Sequence, residues 1–122
     1  MTKRILLVDD SASVRTVASI ALRGAGYEVV EAVDGKDGLG KLAGGKVNLI
    51  ISDVNMPVMD GITFVKELKK NPACKFTPVI MLTTEAGADM KAKGKEAGAK
   101  AWIVKPFLPA VLLDAVSKLV MA

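Results

Sequence analysis

Histidine is missing from the 122 residues, cysteine occurs once, and aromatic side chains make up 4%. Each scarcity excludes some chemistry. Without histidine there is no imidazole general base, no His-ligated zinc and no His-activated nucleophile. Cys74 alone cannot close an internal disulfide, so a reducing compartment, the cytoplasm, is expected. Long apolar runs are lacking too. Ile5 to Val8 meets two aspartates at once, far short of a signal-peptide core, and no stretch nears the roughly 20 residues of a membrane helix. The sequence pI of about 9.3 is compatible with nucleic acid, but there is no aromatic interleaving and no separate recognition module. Any chemistry must run on carboxylates, hydroxyls, lysine and a hard metal ion.

Hydrophobic residues make up 51% and charged residues 25%, a balance that buries a core. The length suits one domain over 1–122, with no room for a separate output domain. Charge is distributed unevenly. Residues 1–61 carry 7 basic and 8 acidic side chains, whereas residues 62–122 carry 10 and 5, so the halves are −1 and +5. Lys91, Lys93, Lys95 and Lys100 concentrate part of that excess, as a solvated face or as a patch for an acidic partner.

Short Ile- and Val-rich runs recur at Ile5–Val8, Tyr27–Val30, Leu49–Ile51, Val79–Leu82 and Trp102–Val104. Helical spacing separates them. Val14, Val17, Ala18, Ala21, Leu22 and Ala25 define one apolar face. Asp60-Gly61 opens a helix carrying Phe64, Val65 and Leu68, and Pro109 opens a last one carrying Leu112, Val116, Leu119 and Val120. Five such alternations predict a doubly wound α/β fold, a parallel sheet covered on both faces. The first, third and fourth runs read as central strands, and the mixed Tyr27–Glu31 segment as an edge. The segment 88–99, with Gly94, Gly98 and few apolar anchors, is the weakest helix. Met90 and Met121 read as gap-fillers, and Cys74, between Pro72 and Pro78, as incidental.

Ligands of such sheets bind beyond the carboxyl ends of the strands. Those ends carry Asp9-Asp10, Asp53, Thr83-Thr84 and Lys105-Pro106. Two like charges 4 Å apart repel by about 4 kcal/mol at an effective dielectric of 20, so three clustered carboxylates must protonate, separate or bind a cation, and Lys105 alone cannot neutralise them. Magnesium fits, because it accepts one or two carboxylates together with water and phosphate oxygens. A metal-dependent phosphoryl site follows, with a carboxylate, Asp53, as the nucleophile. Taken singly, Asp10-Ser11 and Asp60 also fit helix caps, Thr83 a turn hydroxyl and Lys105 a surface lysine.

Asp9-Asp10, the run Ile51-Ser52-Asp53-Val54-Asn55-Met56-Pro57-Val58-Met59-Asp60-Gly61, Leu82-Thr83-Thr84-Glu85 and Val104-Lys105-Pro106-Phe107 resemble the response-regulator receiver domain, in its stand-alone CheY type. The resemblance spans essentially the whole chain. It implies a flavodoxin-like five-stranded sheet in the order 2-1-3-4-5 with five helices, and phosphorylation of Asp53 by a histidine kinase. Further, it implies magnesium bound directly by Asp10 and Asp53, through water by Asp9, and by the backbone carbonyl of Asn55. Thr83 would donate to the phosphoryl group, and Lys105, aimed inward by a cis bond to Pro106, would pair with it while mattering little for the metal. Asn55 and Glu85 match positions that tune dephosphorylation. Trp102 replaces the usual Tyr or Phe of the switch, and Thr84 the usual Ala or Gly.

The function implied is a monomeric signalling switch, not an enzyme beyond promoting its own magnesium-dependent phosphorylation and dephosphorylation. It would dock a protein target such as a flagellar switch component through a face containing Lys91, Lys95 and Trp102. A phosphatase is a further partner, and a phosphate sink with no motor partner is an alternative within the family. Two other readings use the same residues. A magnesium-dependent phosphohydrolase of the haloacid dehalogenase type has Asp where Asn55 stands and needs a lid domain. A flavodoxin-like nucleotide binder needs a Ser-, Thr- and Gly-rich loop where Asp9-Asp10 stand.

Overall fold

The structure, a computed structural model, describes residues 2–120; Met121, expected to fill a packing gap, lies outside them. Ten elements alternate: β1 (Arg4–Val8), α1 (Ala12–Gly24), β2 (Glu28–Ala32), α2 (Gly35–Leu42), β3 (Leu49–Ser52), α3 (Gly61–Lys70), β4 (Val79–Thr83), α4 (Ala88–Ala97), β5 (Ala101–Val104) and α5 (Pro109–Leu119). All strand pairs are parallel, in the order β2-β1-β3-β4-β5, as expected. Sequence order reverses on either side of β1, and so the carboxyl ends of β1 and β3 flank a crevice.

Alternation along the strands builds two apolar layers. Leu6, Val8, Ile50 and Met81 pack with Phe64, Val65 and Leu68 of α3 on one face. Ile5, Leu7, Ile51 and Ile80 pack with Ala18 and Leu22 of α1 and Leu112 and Val116 of α5 on the other. Each large side chain so buried contributes about 1.5 to 3 kcal/mol. Every residue of β3 and β4 is buried, and β2 is an edge with Glu28 exposed, in line with the hydrophobicity of each run.

Three expectations need correction. The apolar stripe of α1 is narrower than its spacing predicts: Val17 is 49% exposed and Ala25 is exposed, because α5 covers the side that presents Ala18 and Leu22. Cys74 is not incidental; it is buried in the layer formed with α3. The strand read from Tyr27 begins at Glu28, since Tyr27 donates its N–H to Leu22 in the turn that closes α1.

Caps set the helix starts. Ser11 accepts from the Val14 N–H (3.3 Å), Asp34 from Asp37 (2.7 Å) and Asp60 from Thr63 (2.8 Å). Capping is therefore what Asp60 does, whereas Ser11 takes that role and leaves Asp10 free of it. Helix α4 starts at Gly87 with no side-chain cap, and Gly94 is its one buried residue. The sparse anchoring expected there is present.

The loop leading to α3 is tightly constrained. Gly61 donates its N–H to the Val54 carbonyl at 2.8 Å, and a Cβ there would overlap the Asp53 carbonyl oxygen. Two residues before Asp60, Val58 holds φ +70° within a three-residue turn closed by Met59 N–H to Pro57 O, strained for a β-branched side chain. Gly61→Ala is expected to cost about 1 to 3 kcal/mol. Gly40→Ala, in an open stretch of α2, should leave stability unchanged or raise it by up to about 1 kcal/mol. Urea midpoints of the two variants check both signs.

Candidate functional site

The carboxyl ends of β1, β3, β4 and β5 bring Asp9, Asp53, Thr83 and Lys105 to one edge. Asp9 is 1% exposed, Asp53 6% and Thr83 0%, while Asp10 faces solvent. Asp9, Asp10 and Asp53 each offer a carboxylate oxygen, all within 4.8 Å of one another. The Lys105 ammonium donates to Asp9 Oδ2 at 2.7 Å and to Asp53 Oδ2 at 3.0 Å. The other oxygens are held by the backbone: Asp53 Oδ1 accepts from Val54 (2.7 Å) and Asn55 (3.3 Å), and Asp9 Oδ1 accepts from Ser11 (2.9 Å). The Lys105–Pro106 bond is cis, as the resemblance implies.

Burial dominates the titration of Asp9: it pushes the carboxyl above the usual 3.8, against the lowering effects of Lys105 and the Ser11 amide. For Lys105, burial works against the charge, but the bonds to Asp9 and Asp53 outweigh it and its pKa lies above 10.5. The lysine is thus locked as a cation between two carboxylates. Its ammonium bonds an oxygen on each of two carboxylates that a cation would use, so the expectation that it matters little for a metal is open to direct test. An all-oxygen donor set of this size suits a hard divalent ion such as magnesium.

Glu85, in the loop after β4, makes three contacts. Its N–H donates to Thr83 Oγ1 (3.2 Å), its carboxylate accepts from Asn55 Nδ2 (2.9 Å), and its carbonyl accepts from the Trp102 indole N–H (2.8 Å). The indole packs against Gly94 of α4, where a Cβ would lie 2.5 Å from the ring. Thr84 stands exposed on the rim of an apolar groove of about 370 Å³ formed with Val14, Val17, Lys105, Pro106 and Phe107. Lys91, Lys95 and Lys100 line a second groove, about 480 Å³, floored by Trp102.

Asp9, Asp10, Asp53, Thr83 and Lys105 lie at one edge, and Lys91, Lys95 and Trp102 line one groove, whose indole is bonded to the carbonyl of Glu85. Sequence reasoning missed Gly61 and Gly94, whose roles are set by how closely Asp53 and Trp102 approach. Arg15 was also missed. It donates to the Asp9 carbonyl at 2.6 Å. Its signal is a cation near a helix N-terminus, where the helix dipole disfavours it.

A doubly wound sheet with an acidic carboxyl edge, a buried hydroxyl and an inward lysine defines a class of α/β domain. Within that class the chain belongs to the response regulator receiver domain family, whose profile matches residues 5–117. It is 39% identical over 113 residues to protein PilG of Pseudomonas aeruginosa PAO1, covering 93% of this chain and 84% of that one. Among solved structures, Vibrio cholerae chemotaxis protein CheY4 superposes with a TM-score of 0.94 at 46% identity, over 98% of this chain and 100% of that one. The receiver domain of the sensor histidine kinase PA1611 from P. aeruginosa PAO1, solved with magnesium coordinated in its active-site cleft, is 28% identical, with a TM-score of 0.89 and 98% coverage of each chain.

Because Lys105 competes for two carboxylates, Lys105→Ala should bind magnesium about tenfold more tightly in a calorimetric titration near neutral pH. On acidification the affinity of the wild type should begin to fall above pH 3.8, since protons and metal compete for Asp9. Equal affinities would mean that the ammonium leaves the carboxylates without cost.

Proposed function

We propose that the chain is a phosphorylation-activated switch of a chemotaxis or related motility pathway, with Asp53 as the acceptor of a phosphoryl group from a histidine kinase. It acts as a cytoplasmic monomer, a single receiver domain that transmits its signal by binding a protein target. The observation that carries this reading is a nearly buried carboxylate, Asp53, bridged by Lys105 and flanked by two further carboxylates. The name of CheY4 as a chemotaxis protein and the kinship with PilG support the pathway.

An Asp53 oxygen attacks phosphorus, the P–N bond of the donor phosphohistidine breaks, and the electron pair leaves on the imidazole, which takes up a proton. Asp10, Asp53 and the Asn55 carbonyl, with Asp9 acting through water, would hold magnesium, which would supply positive charge to offset the incoming phosphoryl oxygens. Lys105 then exchanges its bond to Asp53 Oδ2 for a phosphoryl oxygen. Thr83 donates its hydroxyl proton to another, and its oxygen is drawn from the Glu85 N–H. Movement at Glu85 reaches Trp102 through the carbonyl that holds the indole. The face of α4 and β5 shifts with it, and Lys91 and Lys95, one helical turn apart, meet an acidic partner segment. Asn55 and Glu85, bonded across the mouth, control the approach of hydrolytic water or of a phosphatase. A phosphohydrolase is disfavoured, because the residue two positions after Asp53 is an amide whose N–H₂ is engaged by Glu85.

Incubation with magnesium and acetyl phosphate should add one acid-stable, base-labile phosphoryl group, absent from Asp53→Asn; equal labelling of the variant would remove Asp53 from the reaction. Exposed ion pairs contribute about 0 to 1 kcal/mol each and act mainly on association rate. Lys91→Glu combined with Lys95→Glu should therefore weaken capture of the protein target by beryllofluoride-treated protein and flatten its salt dependence. Labelling at Asp53 should be unaffected, and an unchanged salt slope would move the output face elsewhere.

A further inference from the structure

Resting on the reading of the acidic edge as a magnesium site, we propose that Arg15 is a positioning residue for that site: it fixes the Asp9–Asp10 peptide and so aims Asp10 at the metal. Asp10 needs such help. Among the described residues no hydrogen bond or ion pair holds its exposed carboxylate, whereas Asp9 and Asp53 are each held through both oxygens. The placement of Asp10 therefore depends on its backbone.

That backbone is gripped at one atom. Arg15 Nη1 donates to the Asp9 carbonyl oxygen at 2.6 Å, a charge-assisted bond from a side chain only 17% exposed. Because a peptide unit is planar, fixing the Asp9 oxygen fixes the direction from which the Asp10 chain departs. The arginine is itself anchored on its far side, where Nε lies 3.5 Å from Glu31 Oε1. Glu31 pairs in register with Leu7, and the next residue, Ala32, accepts the Asp9 N–H at 3.1 Å. Arg15 thus ties the turn after β1 to the end of the edge strand through two nitrogens of one planar fork, which lysine cannot reproduce.

Electrostatics and positioning predict opposite signs. Arg15 is a cation beside an acidic cluster, so charge alone would make its removal tighten magnesium binding. Positioning makes its removal weaken binding, and losses of 10- to 100-fold are typical for partners that orient metal ligands. Arg15→Met keeps the apolar stem and removes the fork. By calorimetric magnesium titration it should bind about tenfold more weakly than wild type. Arg15→Lys should restore little of that loss. Glu31→Gln, which leaves the arginine in place and cuts its anchor, should weaken binding in the same direction and serves if Arg15→Met does not fold. In acetyl phosphate labelling, the magnesium concentration for half-maximal rate should rise while the rate at saturating magnesium stays at the wild-type value. Magnesium binding as tight as wild type, or tighter, in folded Arg15→Met or Glu31→Gln would overturn the proposal. A wild-type chain that binds no magnesium would instead overturn the metal reading on which it rests.

Discussion

Three carboxylates at one strand edge repel one another, and two of them are almost withdrawn from water, where that repulsion is strongest. Asp9 and Asp53 are tolerated there because one ammonium lies between them and backbone N–H groups hold their remaining oxygens. The balance leaves Asp10 uncompensated at the surface. A chain built this way is poised for a cation, and it resists an incoming phosphoryl dianion until one arrives. The same constraint accounts for Gly61: the loop after β3 must fold back tightly enough to turn the Val54 and Asn55 N–H groups onto Asp53, and a side chain on Gly61 would block that turn.

Thr83, Glu85, Trp102 and Gly94 form a continuous line of touching groups that leaves the acidic crevice and ends under α4. Helix α1 touches the edge itself through Arg15, on the Asp9 carbonyl, and both α1 and α5 lie on the sheet through apolar packing of Ala18, Leu22, Leu112 and Val116. Such packing is dense and passes on displacement poorly unless an entire layer shifts. The indole is well suited to its place. Its N–H can only donate, so it requires an acceptor such as the Glu85 carbonyl, and its second ring occupies the space that a residue without a side chain leaves open.

The fold was legible because each strand announces its position. Ile5–Val8, Leu49–Ile51 and Val79–Leu82 are apolar throughout and lie at the centre, while Glu28 and Glu31 mark an edge. The acidic edge was legible for a related reason: Asp9, Thr83 and Lys105 directly follow an apolar run, Asp53 stands one residue beyond another, and parallel strands bring such positions together. Less legible was anything set by approach between distant segments. The spacing of α1 makes Val17 and Ala18 equally apolar, and only the position of α5 decides which is covered. Helix α2, with three glycines in eight residues, has almost no periodic signal and is fixed by its Asp34 cap and by contact with α3. The twofold hydrogen bonding of Lys105 to Asp9 and Asp53 was hidden, because net charge gives its sign and not the two oxygens it holds.

Helix α4 has one fully buried residue, Gly94, and within 88–97 only Met90 and Ala97 besides it pack, half-buried, against the core. Substitutions at exposed positions ordinarily change stability by no more than about 0.5 kcal/mol. The outer surface of this helix is therefore nearly free of folding constraint, although it lies at the end of the line of contacts from Asp53. Divergence can rewrite its charges and shape one residue at a time, and so redirect the protein to a different listener, while the chemistry that times the message stays untouched.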